Sequence, residues 1–133
     1  MYLLDTCVWS DARRRVPSVL AWLDAANPAS LFLSVITVGE MTKGVALRAR
    51  KDAVAAVSLK NWLDDLRGTH ADRILPIDQA VAVAWGQIMA TRTLPIADGL
   101  IAATARIHVL VLVTRNVADF AGTGIEIVNP WPK

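Results

Sequence analysis

Val109-Leu110-Val111-Leu112-Val113 is a continuous apolar run rich in β-branched residues, and Thr114-Arg115-Asn116-Val117-Ala118-Asp119-Phe120 follows it directly. A strand with no polar alternation is buried on both faces, as in a parallel sheet covered by helices. The same reading extends outward along the chain. Tyr2-Leu3-Leu4 is a second apolar run that stops at Asp5, and residues 31–35 form a third. Residues 74–77 and 125–128 read as shorter strands, the latter an edge strand before Pro130. Helical periodicity fills the intervals: 6–15, 18–26 behind Pro17, 38–50, 53–66, 79–90 behind an N-cap at Asp78, and 95–107. Strands alternating with helices predict a three-layer α/β/α domain around a central parallel sheet of four or five strands. Its 133 residues suit one domain spanning 1–133.

Composition narrows the function. At 54% hydrophobic and 20% charged the chain is not intrinsically disordered. The uncharged stretch 25–39 is broken by Asn27 and Pro28 and is shorter than the roughly 20 residues of a spanning helix, so no membrane association is expected. Asp5 interrupts the first apolar run, so no signal peptide is read and a cytoplasmic location is expected. A single cysteine, Cys7, forms no internal disulfide. With that one Cys and the two distant histidines His70 and His108, ligands for zinc are lacking. The net charge is only +2, yet Arg13-Arg14-Arg15 stand in a row and Lys43, Arg48, Arg50 and Lys51 lie close together. Such runs are ordinarily solvated surface; the alternative is a phosphate-facing edge.

Of the twelve acidic residues, eight sit in polar surroundings or cap a helix. Asp5, Glu40, Asp98 and Asp119 instead interrupt apolar stretches. Each has an ordinary explanation: Asp5 as a cap, Thr37 and Glu40 as a capping box, Asp98 at a helix N-terminus, Asp119 in a turn. Their joint placement says more. Three of them follow strands of a parallel sheet, whose ends share the edge where such folds place ligand crevices. Asp98 opens a helix packed on that sheet and can reach the same edge. Two carboxylates 4 Å apart repel by about 4 kcal/mol at an effective dielectric of 20. A cluster of four must therefore take up protons or a cation. Oxygen-only ligands favour Mg²⁺ or Mn²⁺, ions suited to phosphate chemistry.

Four segments then carry a resemblance: Leu3-Leu4-Asp5-Thr6, Ser34 through Glu40, Pro95-Ile96-Ala97-Asp98 through Thr104, and Val113 through Phe120. In this order and at this length the chain resembles the PIN-domain ribonucleases, in particular the VapC-type toxins of toxin–antitoxin pairs. The resemblance implies an Mg²⁺- or Mn²⁺-dependent endoribonuclease, an RNA substrate, a homodimer, and a cognate antitoxin that covers the active site. It also implies metal-site roles for Asp5, Glu40 and Asp98, with Asp119 as the fourth acid and Asn116 its helper. Thr6 and Thr114 match hydroxyls near the site, and Arg115 with Arg13 to Arg15 are candidates to hold the RNA backbone. Trp22 and Trp62 either flank the antitoxin groove or are core.

Two positions depart from the family pattern: Cys7, where Asn is common, and Gly99, where Ala is usual. Competing readings fit less well. A haloacid-dehalogenase-type phosphatase needs an acid at position 7, and a receiver domain needs paired acids after the first strand. P-loop, GxGxxG and GxSxG motifs are absent from the sequence. The remaining alternative is a catalytically silent PIN-like module acting through antitoxin or RNA association.

Overall fold

The computed structural model describes residues 1–132, so Lys133, the last residue of the expected domain, lies outside the described residues. Five strands form one sheet: β1 (Tyr2–Leu4), β2 (Leu31–Ser34), β3 (Ile74–Leu75), β4 (Val111–Val113) and β5 (Ile127–Val128). Their spatial order is β3-β2-β1-β4-β5, and every neighbouring pair is parallel. Among the described residues there are seven α-helices. They are α1 (Thr6–Arg13), α2 (Pro17–Ala25), α3 (Val35–Ala49), α4 (Ala53–Thr69), α5 (Gln79–Thr91), α6 (Ile96–His108) and α7 (Val117–Phe120). None is long and apolar enough to cross a membrane.

Strand periodicity sorts the core into two layers. Leu3 and Leu112, paired across β1 and β4, pack with Val81, Ile88, Ile101 and Phe120 on the α5–α6–α7 face. Leu4 and Val113, the next pair, face the other way, onto Val8, Trp9, Val19, Leu33, Met41 and Leu63 of α1 to α4 and β2. Leu3, Leu4, Leu112 and Val113 are fully buried, which explains why β1 and β4 carry no polar alternation. This is the α/β/α arrangement expected from the sequence.

Boundaries differ in several places, β3 among them, which ends at Leu75 rather than at residue 77. Val35 belongs to α3 rather than to β2, because the Ser34 hydroxyl accepts from the Ile36 backbone N–H at 3.0 Å and caps the helix there. Thr37 and Glu40 therefore lie inside α3 and form no capping box. Val109 is not the first residue of β4: it ends α6 in the left-handed region, at φ 53°, and is 88% exposed. That conformation disfavours a β-branched residue, yet closure of α6 requires it: Leu110 N–H bonds back to Ala105 O at 2.9 Å. The last strand likewise begins at Ile127 rather than Ile125, and the segment after β4 winds into α7.

Candidate active site

β1 is the central strand, with β2 on one side and β4 on the other. The chain therefore switches direction across the sheet beside the C-terminal end of β1, where a crevice opens. Asp5 stands at that end. It is 5% exposed, and its Oδ1 accepts from the Thr6 backbone N–H at 2.8 Å. The cap reading of Asp5 thus holds alongside any other role. Oδ2 accepts from the Thr114 hydroxyl at 2.8 Å, and that hydroxyl in turn accepts from the Asn116 N–H at 3.1 Å. Thr114 is fully buried, just beyond β4.

Glu40 projects from α3 and is exposed. Its Oε1 accepts from the Thr6 hydroxyl at 2.7 Å, and the Thr37 hydroxyl lies 3.1 Å from the same Thr6 oxygen. Asp98 occupies the first turn of α6 and is half-buried. Asp119 is exposed on α7.

The four acids share one electrostatic field. Burial, then repulsion from Asp5, Glu40 and Asp119 in that order, pushes the Asp98 carboxyl up to about 6. Asp5 is also raised, chiefly by burial, with Glu40 adding to the effect and the Thr114 and Thr6 hydrogen bonds opposing it. Among the described residues none of the four makes an ion pair, whereas Asp11, Asp52, Asp64 and Asp72 all do. Nor does any group of three or more His, Cys, Asp or Glu among the described residues stand at metal-ligating spacing. Like charges favour that spread, since the repulsion of about 4 kcal/mol per pair at 4 Å falls with distance.

The neighbours named in the sequence fall out unevenly. Cys7 Sγ lies 3.8 Å from both Asp5 Oδ2 and Thr114 Oγ1, and burial raises its thiol, so it stays protonated beside the carboxylate. Asn116 contributes its backbone N–H; its side chain caps nothing. Arg13 and Arg14 line a groove of about 430 Å³ together with Thr6, Glu40, Arg48 and Trp62. Trp62 thus faces the groove, while Trp22, partly buried against the core, packs edge-on against Tyr2 with ring centroids 5.0 Å apart. Arg115 is turned away from the acids, onto Asp11 at 2.5 Å. Asp11 is the residue that sequence reasoning passed over. It is buried rather than set in polar surroundings, and its helical spacing from the buried Val8 was a signal that it faces inward.

Comparison with known proteins agrees with this architecture. The PIN domain profile matches residues 2–124. The toxin FitB of Neisseria gonorrhoeae is 39% identical over 140 aligned positions, covering 98% of this chain and 99% of that protein. The VapC ribonuclease Y4jK of Sinorhizobium fredii is 35% identical, covering 98% of each. Among solved structures, FitAcB from Neisseria gonorrhoeae superposes with a TM-score of 0.92 at 37% identity over the whole of both chains. A toxin–antitoxin complex from Klebsiella pneumoniae gives 0.76 at 28%, again over the whole of both. With its sheet order and these full-length likenesses, the chain belongs to the PIN-domain family, among the VapC-type toxins.

Proposed function

We propose that this protein is a divalent-metal-dependent endoribonuclease, the toxin of a toxin–antitoxin pair. One observation carries the reading: among the described residues four carboxylates without ion-pair partners lie around the end of the central strand, close enough that, after burial, the other three raise Asp98. The donor set is oxygen throughout, which suits Mg²⁺ or Mn²⁺ and not zinc. Uncompensated negative charge there fits a hard cation. Asp5, Glu40 and Asp98 would hold it, with Asp119 completing the set.

When bound, such an ion lowers the pKa of a water and offsets charge on the leaving oxygen of a phosphodiester. The chain's own groups do the rest. Thr114 and the Thr6 N–H fix both oxygens of Asp5. Thr6 holds Glu40. Asp119, exposed on α7, would orient the attacking water. Arg13, Arg14 and Arg48 line the same groove as Glu40 and would provide phosphate contacts that position RNA without reading its bases. The ribonuclease name of the Sinorhizobium relative supports the RNA substrate. The antitoxin partner is supported by the Klebsiella complex, and the groove at Trp62 supplies an apolar floor for it. A homodimer is part of the same reading, consistent with exposed Val54, Val57, Val83 and Ile96.

The test uses purified protein on structured RNA, with Asp5→Ala prepared in parallel to expose contaminating nuclease. Wild type should cleave, stop in EDTA, and recover with Mg²⁺ or Mn²⁺ but not Ca²⁺. Asp5→Ala should lose at least about a hundredfold in rate and lose toxicity in cells while keeping its fold. Asp119→Ala should lose less. EDTA-resistant cleavage by Asp5→Ala at the wild-type rate would refute the mechanism.

A further inference from the structure

Asp11 lies in the second half of α1, apart from the four acids, and is 7% exposed. Three donors converge on it. Its Oδ2 accepts from the Arg115 guanidinium at 2.5 Å and from the Trp131 indole Nε1 at 3.0 Å. Its Oδ1 accepts a longer bond, 3.4 Å, from the exposed Arg14. The Arg115 guanidinium also sits over the Trp131 ring, 4.6 Å from its centroid. The Trp131 backbone N–H donates to Asn129 Oδ1 at 2.9 Å, a tight turn just after β5. A buried carboxylate has to be paired, and here the pairing ties together three segments far apart in sequence.

All three segments border the proposed active site. α1 opens on Asp5 and Thr6. Arg115 directly follows Thr114, whose hydroxyl holds Asp5, and leads into α7 with Asp119. The tail continues from β5, where Val128 O accepts from the Thr114 N–H at 3.0 Å. The 114–116 loop is thus held on one side by β5 and on the other by Asp11 and Trp131. Arg115 is drawn onto those two partners, while about half of its side chain stays exposed.

We infer that Asp11, Arg115 and Trp131 form a latch that positions the 114–116 loop, and through it Asp5 and Asp119, for the cleavage proposed above, on which this inference rests. The three are positioning residues acting as one unit. Misplacement of reacting groups by about 1 Å costs up to about a hundredfold in rate without weakening substrate binding.

Steady-state cleavage by the Mg²⁺-loaded protein tests this on Trp131→Ala, Trp131→Phe, Arg115→Gln and the double variant Trp131→Ala/Arg115→Gln. Trp131→Ala and Arg115→Gln should each lower kcat by about ten- to a hundredfold with KM unchanged. The double variant should be no worse than either, because the residues act together. Trp131→Phe keeps an aromatic face under Arg115 and should recover part of kcat. Amide hydrogen exchange at 114–116 should quicken in Trp131→Ala while unfolding stays cooperative. An unchanged kcat in Trp131→Ala overturns the inference. So does a raised KM at constant kcat in Arg115→Gln, which would make Arg115 a contact to RNA. Should Trp131→Ala fail to fold, Arg115→Gln and Trp131→Phe are read by the same criteria. A wild type that cleaves no RNA refutes the nuclease reading instead, and the exchange rates of 114–116 then decide the latch on their own: faster exchange in the variants supports it and equal exchange overturns it.

Discussion

The Asp98 carboxyl titrates near 6 because it is partly withdrawn from water and because Asp5, Glu40 and Asp119 oppose its charge. In the unfolded chain the same group ionises near 3.8. Between those values the folded protein binds more protons than the unfolded one, so stability falls as pH rises through the window. Asp5, raised in the same direction, adds to the slope. Without divalent cations, Asp98→Asn should therefore be more stable than wild type at pH 7.5, with Tm higher by about 2–4 °C after allowing for screening of a half-exposed group. The gain should vanish near pH 4, where wild-type Asp98 is largely protonated. Scanning calorimetry in EDTA at the two pH values checks this, and Mn²⁺ should then stabilise wild type more than the variant. A variant less stable than wild type at pH 7.5 would show that Asp98 is not repelled by its neighbours.

At the scale of elements, α5 and α6 approach closely beside the site, and Gly99 is where they touch. A Cβ there would stand 2.8 Å from Met89 Sδ and 3.0 Å from Trp85 Nε1. The departure from the family's usual Ala thus has a local cause, since the bulk is supplied by Trp85 instead. Gly99→Ala gains about 1 kcal/mol of helix propensity but forces Met89, and with it the Trp85 indole, to shift, at about 1–3 kcal/mol. The balance should be a net loss of about 1 kcal/mol, read as a lower urea midpoint. Gly86, on the exposed face of α5, has nothing within 4 Å of its virtual Cβ. There Gly86→Ala should raise stability by about 0.5–1 kcal/mol. Opposite signs at two helical glycines would separate packing from propensity; equal gains would mean that α5 and α6 part easily.

For the whole molecule, the groove between α1, α3 and α4 joins an apolar floor at Met41, Leu59, Trp62 and Leu63 to a rim of Arg13, Arg14 and Arg48. An amphipathic helical segment with acidic residues along one face suits such a groove. If it is the antitoxin that lies there, Trp62→Ala should weaken antitoxin binding by about tenfold or more in titration calorimetry, as aromatic anchors do. Light scattering of the purified chain at micromolar concentration should give a dimer. A monomer together with unchanged antitoxin affinity in Trp62→Ala would remove both interfaces from the proposal.

Strand and helix content and the parallel sheet were legible in the sequence, because apolar runs without alternation are local signals; the four acids were legible only as candidates, as charges inside apolar stretches. Asp78 and Asp5 were legible as caps for the same reason. The start of α3 at Val35 was not, since Ser34 competes with Thr37 as a cap and only the packed end of β2 selects between them. Val109 reads as strand by composition, yet its conformation is set by how α6 must close before β4 can pair. Asp11, Arg115 and Trp131 lie too far apart in sequence for any pattern to join them. What the sequence determined by itself was the periodicity and the chemistry of single residues. Which side chains meet was decided by tertiary structure, because contact across distant segments depends on how the helices and the tail pack on the sheet.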